Sequence, residues 1–297
     1  MPSIRARLIS LLTRYVTKRR LAACKTPQDV RRVFNSARTF APPGVAHRAA
    51  TLGGVSGEWV EAKAATPRAA LLYLHGGGYV GMSPQTHRAL TGAFALRGFR
   101  VFAADYRLAP EHRFPAALDD ATAAWNALRA SVEGPICVAG DSAGGGLTLA
   151  LLLNLKRRGD RLPDAATLFS PWTDLAATGA SMKTNAERDP LLVATDIDVI
   201  AKAYLGDADA RDPLASPLYG DYAGLPPLVF FVGESEILRD DALRAAEKAR
   251  AAGVRVETHV VEGVPHVWPI MARIMPEARR SMDEAAAFLL AAIPRAG

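Results

Sequence analysis

The stretch Ile136–Leu155, ICVAGDSAGGGLTLALLLNL, decides the fold. Its first four residues, Ile136, Cys137, Val138 and Ala139, form a short apolar run of strand character. Leu147, Leu149, Ala150, Leu151, Leu153 and Leu155 then fit a buried helix that ends near Gly159. Between the two sits Gly140-Asp141-Ser142-Ala143-Gly144. Serine and glycine make turns on their own account, and G-x-S-x-G also occurs by chance. The setting separates this match from a chance one. A strand precedes it, a helix follows it, and the residues around the serine are small enough for a sharp, closely packed turn. Ser142 is therefore the candidate nucleophile.

Outward from this stretch, apolar strand candidates recur with helical segments between them. They are LLYLH (71–75), VFAADY (101–106), ICVAGDS (136–142), ATLFSP (166–171), LVFFVG (228–233) and ETHVVEG (257–263). TGAFALRG, AALDDATAAWNALRA, the helix after Ser142, ATDIDVIAKAYLG and DDALRAAEKARAAG lie between them, and EARRSMDEAAAFLLAAI closes the series. This alternation predicts an α/β protein, with a mostly parallel central sheet covered by helices on both faces. At 297 residues, with no internal repeat and no linker-like tract, the chain fits one large domain.

The net charge of +6 is unevenly placed. Residues 1–32 hold nine Lys/Arg and one Asp, whereas the remainder holds 27 basic and 29 acidic residues. A nucleic-acid partner is therefore not expected. Ile4, Leu8, Leu11, Leu12 and Tyr15 share one helical face in the basic segment, with Arg and Lys elsewhere. Arg7 and Arg14 interrupt what would be a signal's apolar core, and no run is long enough to span a bilayer. The expected location is the cytoplasm. Two readings of the helix stay open: packing on its own domain, or a basic amphipathic surface in weak contact with anionic lipid. Cys24 and Cys137, far apart in sequence, suggest no disulfide framework.

In a parallel sheet of this kind the site lies at the carboxyl ends of the strands. Strand 71–75 runs into His75-Gly76-Gly77-Gly78, strand 136–142 ends at Ser142, strand 228–233 precedes Glu234-Ser235-Glu236, and strand 257–263 leads to Val264-Pro265-His266. A glycine loop, a hydroxyl, carboxylates and an imidazole thus fall at four strand ends, in the chain order Ser, acid, His. A serine hydroxyl is a poor nucleophile until an imidazole takes its proton, and a carboxylate holds the imidazole's tautomer and steadies its charge. The oxyanion formed on attack needs preorganised N–H donors. Glycines let backbone amides approach it, and the Ala143 amide opens the following helix.

The sequence resembles the hormone-sensitive-lipase-like (bacterial family IV) carboxylesterases of the α/β-hydrolase fold. The resemblance covers about residues 45 to 290. It rests on HGGGYV (75–80), DYRLAPEHRFPAALDD (105–120), GDSAGGGL (140–147), SPWTDL (170–175), GLPP (224–227) and VPHVW (264–268). It implies Ser142 as nucleophile, His266 as general base and then acid, and Gly77, Gly78 and Ala143 as oxyanion donors. It also implies cap helices over 1–45 and a catalytic unit over 46–297, with a cap insertion near 180–215. Short to medium acyl chains, soluble esters and a homodimer through an edge strand belong to the same expectation. The acid departs from the family's commonest pattern, Asp-Pro-Leu followed by a second Asp. Here the stretch is Glu236-Ile237-Leu238-Arg239-Asp240-Asp241. Matching Leu238 and Asp240 to that pattern puts Glu236 at the catalytic position, with Asp240 as the alternative.

Tyr79, Trp172, Tyr204, Leu205 and Trp268 are candidates for the substrate pocket, and each fits a core role as well. His75 and Asp141 read as braces of the glycine loop and the serine turn. Asp105, Tyr106, Arg107 and Glu111 read as a polar network below the site. Glu234 and Asp241 read as a solvated loop residue or a helix cap. No His, Cys and carboxylate spacing suits a metal, and no cofactor is expected. Ser142 in place of aspartate argues against a dehalogenase or an epoxide hydrolase. A lipase acting on longer chains, an amidase and a non-catalytic binding protein on the same fold remain rivals.

Overall fold

The computed structural model describes residues 1–36 and 39–293; residues 37–38 of the expected cap and 294–297 of the expected catalytic unit lie outside the described residues. In chain order the helices are α1 (Ile4–Leu12), α2 (Arg19–Ala22), α3 (Pro27–Asn35), α4 (Arg88–Ala95), α5 (Ala116–Ser131), α6 (Ala143–Arg158), α7 (Ser181–Thr184), α8 (Ala194–Leu205), α9 (Arg239–Ala251) and α10 (Pro276–Ala292). The strands are β1 (Val45–Leu52), β2 (Val55–Ala62), β3 (Ala69–Leu74), β4 (Phe99–Ala104), β5 (Ile136–Asp141), β6 (Ala166–Phe169), β7 (Leu228–Gly233) and β8 (Val256–Val261). They form one sheet in the order β1-β2-β4-β3-β5-β6-β7-β8. From β4 to β8 every pairing is parallel, whereas β1 pairs β2 and β2 pairs β4 antiparallel.

Each of the six expected strands is present to within two residues at its start and two at its end. The antiparallel pair β1 and β2 is an addition. β1 has no apolar run, because no residue of Val45–Leu52 is fully buried and half of them are exposed. Its partner is anchored by Trp59, which meets Phe102 edge-on at 5.3 Å and carries the Arg100 guanidinium over its ring.

Strand alternation sends β3 side chains to two separate cores. Leu72 and Leu74 join α5 and α6 on one face, and Leu71 and Tyr73 join α4 and α10 on the other. Helix α6 is buried along Ala143–Leu155, which explains its unbroken leucines, and Gly159 ends it in the left-handed conformation. At the amino end, Pro27 and a reciprocal Thr26–Asp29 cap start α3, which packs against α8.

Helix α1 settles against the domain through its small and polar residues. Ser3 donates from N and Oγ to Glu277 of α10, Ala6 is fully buried, and Ser10 Oγ donates to the Gly263 carbonyl. The apolar face expected from the sequence points the other way. Ile4, Leu8, Leu11, Leu12 and Tyr15 are each more than half exposed. Each exposed leucine or isoleucine forgoes part of the ~1.5–3 kcal/mol that full burial contributes.

Candidate active site

The β5–α6 junction bends as its sequence requires. Ser142 has φ 52° and ψ −123°, and its N–H donates to the Phe169 carbonyl at 2.8 Å. This strained backbone needs small neighbours. A Cβ on Gly144 would collide with the carbonyl oxygens of Leu74 and His75, so the glycine lets the helix start directly against β3. The first-turn amide of Ala143 is one that an α-helix leaves without an internal partner.

Three side chains from separate strand ends form a hydrogen-bonded chain. Ser142 Oγ donates to His266 Nε2 at 2.9 Å, and His266 Nδ1 donates to Glu236 Oε2 at 2.5 Å. Glu236 is fully buried; its Oε1 accepts from the Gly233 N–H at 2.6 Å and from Ser170 Oγ at 2.8 Å. These bonds leave the carboxylate one orientation, with Oε2 aimed at the imidazole. Asp240, the alternative acid, turns away and accepts from the Ser181 N–H at 2.9 Å, beside Arg239. Burial alone would lower the His266 pKa. The charge and hydrogen bond of Glu236, joined by Asp189 and Asp141, outweigh burial and lift the pKa above the ordinary imidazole value.

The glycine loop is held from beneath. Gly77 and Gly78 have φ of 113° and 62°, and Gly77 borders the same cavity as Ser142 and His266. Asp141 Oδ1 accepts from the Gly76 N–H at 3.1 Å and from Tyr73 Oη at 2.6 Å, and His87 Nε2 lies 3.3 Å away. Burial pushes the Asp141 carboxyl up, but His87 and the Tyr73 hydroxyl more than offset this and hold it below its usual range. His75 Nδ1 donates to the Gly76 carbonyl at 2.7 Å, and its ring stacks on Tyr106 at 4.3 Å. Burial, then the neighbouring His87 charge, push its pKa down to about 3. A ring kept neutral in this way carries no imidazolium proton to transfer near neutral pH. His75 and Asp141 thus sit where bracing residues were expected.

The expected network of Asp105, Tyr106, Arg107 and Glu111 divides into separate contacts. Tyr106 Oη donates to the His75 carbonyl, Arg107 pairs with Asp120, and Glu111 pairs with Arg31 of α3. The Asp105 N–H donates to the Ser56 carbonyl of β2. Asp241, expected in a solvated loop or a helix cap, is instead buried, where its Oδ2 accepts from the Thr173 and Asp174 amides at 2.8 Å each. Ser170, which holds both Glu236 and the Val267 N–H, was not singled out from the sequence. Its position at the carboxyl end of a strand was the available signal.

A cavity of about 660 Å³ opens beside Ser142 and His266, and its walls are largely apolar. Ile9, Leu12 and Phe34 of the amino-terminal helices, Leu191 and Leu192, and Val267, Ile270, Met271 and Ile274 border it. None of the five expected pocket residues does. Tyr79 stacks on Tyr204 at 3.8 Å with Trp172 beside it, Leu205 joins the same core, and Trp268 is buried on the other face with Nε1 donating to Ser281. These side chains belong to the two buried cores and do not line the cavity.

A family model described as alpha/beta hydrolase fold matches residues 71–270. The chain belongs to that family. An acetyl-hydrolase of Streptomyces hygroscopicus is 44% identical over 251 residues, covering 84% of this chain and 83% of that protein. An esterase of Acinetobacter venetianus is 37% identical over 250 residues, covering 83% and 82%. Among solved structures, a mutant of the esterase E40 superposes with a TM-score of 0.92 at 40% identity, covering 98% of this chain and 99% of that one. A bacterial hormone-sensitive lipase family esterase superposes with a TM-score of 0.92 at 39% identity, covering 99% and 100%. Within the α/β-hydrolase family the chain therefore groups with the hormone-sensitive-lipase-like esterases, as the sequence motifs imply.

Proposed function

We propose that the protein is a serine carboxylesterase acting on short- to medium-chain esters. The observation that carries the reading is the hydrogen-bonded chain from Ser142 through His266 to Glu236, at the head of an apolar cavity. Ser142 Oγ attacks the ester carbonyl as its proton passes to His266 Nε2. Glu236 holds the Nδ1–H and stabilises the imidazolium that results. The oxyanion accepts hydrogen bonds from the amides of Gly77, Gly78 and Ala143. Collapse of this intermediate breaks the bond to the alcohol oxygen, which leaves with the proton from His266. Water then gives a proton to His266 and attacks the acyl carbon, and return of that proton to Ser142 Oγ releases the acid.

The amino-terminal helices and the segment near 180–215 act in this reading as a cap. Phe34 of α3, Leu191 and Leu192 on the cavity wall, and the packing of α3 on α8, support that role. The acetyl-hydrolase relative supports a preference for small acyl groups. Cys24 and Cys137 are free, as suits a reducing cytoplasm, and among the described residues no helix is long and apolar enough to cross a membrane. The test is hydrolysis of p-nitrophenyl esters from acetate to palmitate by wild type and Ser142→Ala. Turnover should peak at short chains, and the substitution should lower kcat by about 10⁶-fold. Turnover that survives Ser142→Ala would overturn the mechanism, and a peak at long chains would replace the esterase reading with a lipase one.

A further inference from the structure

Helix α1 presents the apolar side of an amphipathic helix to solvent, although burial of that side is the usual reason for such a helix to dock. It is fixed to the domain by Ser3, Ala6 and Ser10. Ile4, Leu8, Leu11, Leu12, Tyr15 and Val16 are each more than half exposed. Phe40 and Ile274, also more than half exposed, extend the patch, and with Leu12 they border the cavity that holds Ser142. The exposed apolar surface is therefore continuous with the cavity wall.

The segment that carries this patch is basic. Residues 1–28 contain seven Lys/Arg and no acid. Arg5, Arg7, Arg19 and Arg20 are exposed along the same segment, with the Arg19 guanidinium over the Tyr15 ring at 5.1 Å. Glu277, beside the start of α1, accepts both Ser3 hydrogen bonds. Aromatic and leucine side chains flanked by arginines suit the boundary between headgroups and acyl chains, where apolar burial and attraction to anionic lipid act together.

We propose that this face docks the protein onto an anionic phospholipid bilayer, with the helix lying in the plane of the interface and the cavity mouth toward the lipid. Esters partitioned into the membrane would then reach Ser142 from the bilayer. That delivery role rests on the ester-hydrolase reading, whereas the docking does not.

The experiment is co-sedimentation with vesicles of phosphatidylcholine alone and of phosphatidylcholine mixed with phosphatidylglycerol, at low and high salt. Hydrolysis of soluble p-nitrophenyl butyrate is measured in parallel. Wild type should bind the anionic vesicles at least tenfold more tightly than the neutral ones, and salt should reduce that difference. Leu8→Asp combined with Leu11→Asp, and separately Arg19→Glu combined with Arg20→Glu, should each weaken binding at least tenfold with butyrate turnover unchanged. Neither pair borders the catalytic cavity, so retained turnover reports intact folding. Absence of vesicle binding, equal binding to both vesicles, or a dimer in solution that Leu8→Asp and Leu11→Asp disperse would each overturn the docking, the last by giving the face to a second copy. Vesicle binding without butyrate turnover would leave the docking standing and remove the hydrolase reading.

Discussion

The Asp189 carboxylate holds the loop that presents Glu236: its Oδ2 accepts the Ile237 N–H at 2.8 Å. Its Oδ1 accepts the Leu191 and Leu192 amides at 2.8 and 2.9 Å, so one buried side chain ties the cavity wall to the acid loop. Asn185 grips the same loop through the Glu234 and Glu236 carbonyls. Burial, and then the Glu236 charge, push the Asp189 carboxyl up, while the amides pull it down.

Asp189→Asn replaces one acceptor oxygen with an NH₂ group that must face a backbone N–H. We expect kcat on an acetate ester to fall about 10²-fold, the scale of a misplaced reacting group, with KM changing less. The midpoint of the kcat/KM pH profile should also fall, because Asp189 is one of the charges that raise the His266 pKa. Loss of kcat with an unmoved midpoint would limit Asp189 to holding the backbone.

The raised pKa of His266 fixes the direction of the pH dependence. The imidazole accepts the Ser142 proton only when neutral, so kcat/KM should rise with pH and level off above a midpoint higher than the ordinary value of about 6.5. Glu236→Gln removes the largest of the raising influences. The midpoint should move down, and kcat should fall by about 10⁴-fold as the imidazole loses its tautomer control. A midpoint unchanged in Glu236→Gln would mean that another group titrates in the profile.

What the sequence made legible followed from position along strands. Ser142, Glu236 and His266 sit just past strand ends, where glycine and polar residues interrupt apolar runs, and chain order did the rest. Facing was not legible. Tyr79, Trp172, Tyr204, Leu205 and Trp268 are large and apolar or aromatic, yet which core each joins is set by tertiary packing. The same limit applied to α1. Its periodicity marks an apolar face, and only the contacts of Ser3, Ala6 and Ser10 show that the opposite face is the docked one.

Asp241 gives stability its own pH dependence. Burial, with the Asp174 charge adding to it, pushes this carboxyl up to about 8 against the pull of two backbone amides. The folded state therefore holds a proton that the unfolded chain, with an ordinary value near 3.9, releases. Its contribution is fully present below about pH 4 and is lost as pH rises toward 8. Asp241→Asn keeps an oxygen for the Thr173 and Asp174 amides without the buried charge. Urea midpoints measured from pH 5 to 9 should fall less steeply in the variant than in wild type. Parallel curves would assign the proton elsewhere.

Phe34, on α3, borders the cavity beside Ser142 and His266, and we expect it to limit how far a substrate chain extends in that direction. Phe34→Ala opens the wall without touching the hydrogen-bonded chain. Each further methylene that the enlarged cavity buries is worth ~0.8 kcal/mol, or about fourfold in kcat/KM. The ratio of octanoate to acetate turnover should therefore rise in the variant, with acetate turnover little changed. Repeating the series with a fixed acetyl group and lengthening alcohols tells which half of the ester lies against α3. A rise confined to the acyl series places the acyl chain there, and a rise confined to the alcohol series places the alcohol there. Equal losses across both series, with all ratios unchanged, would show that Phe34 supports the fold and does not face the substrate.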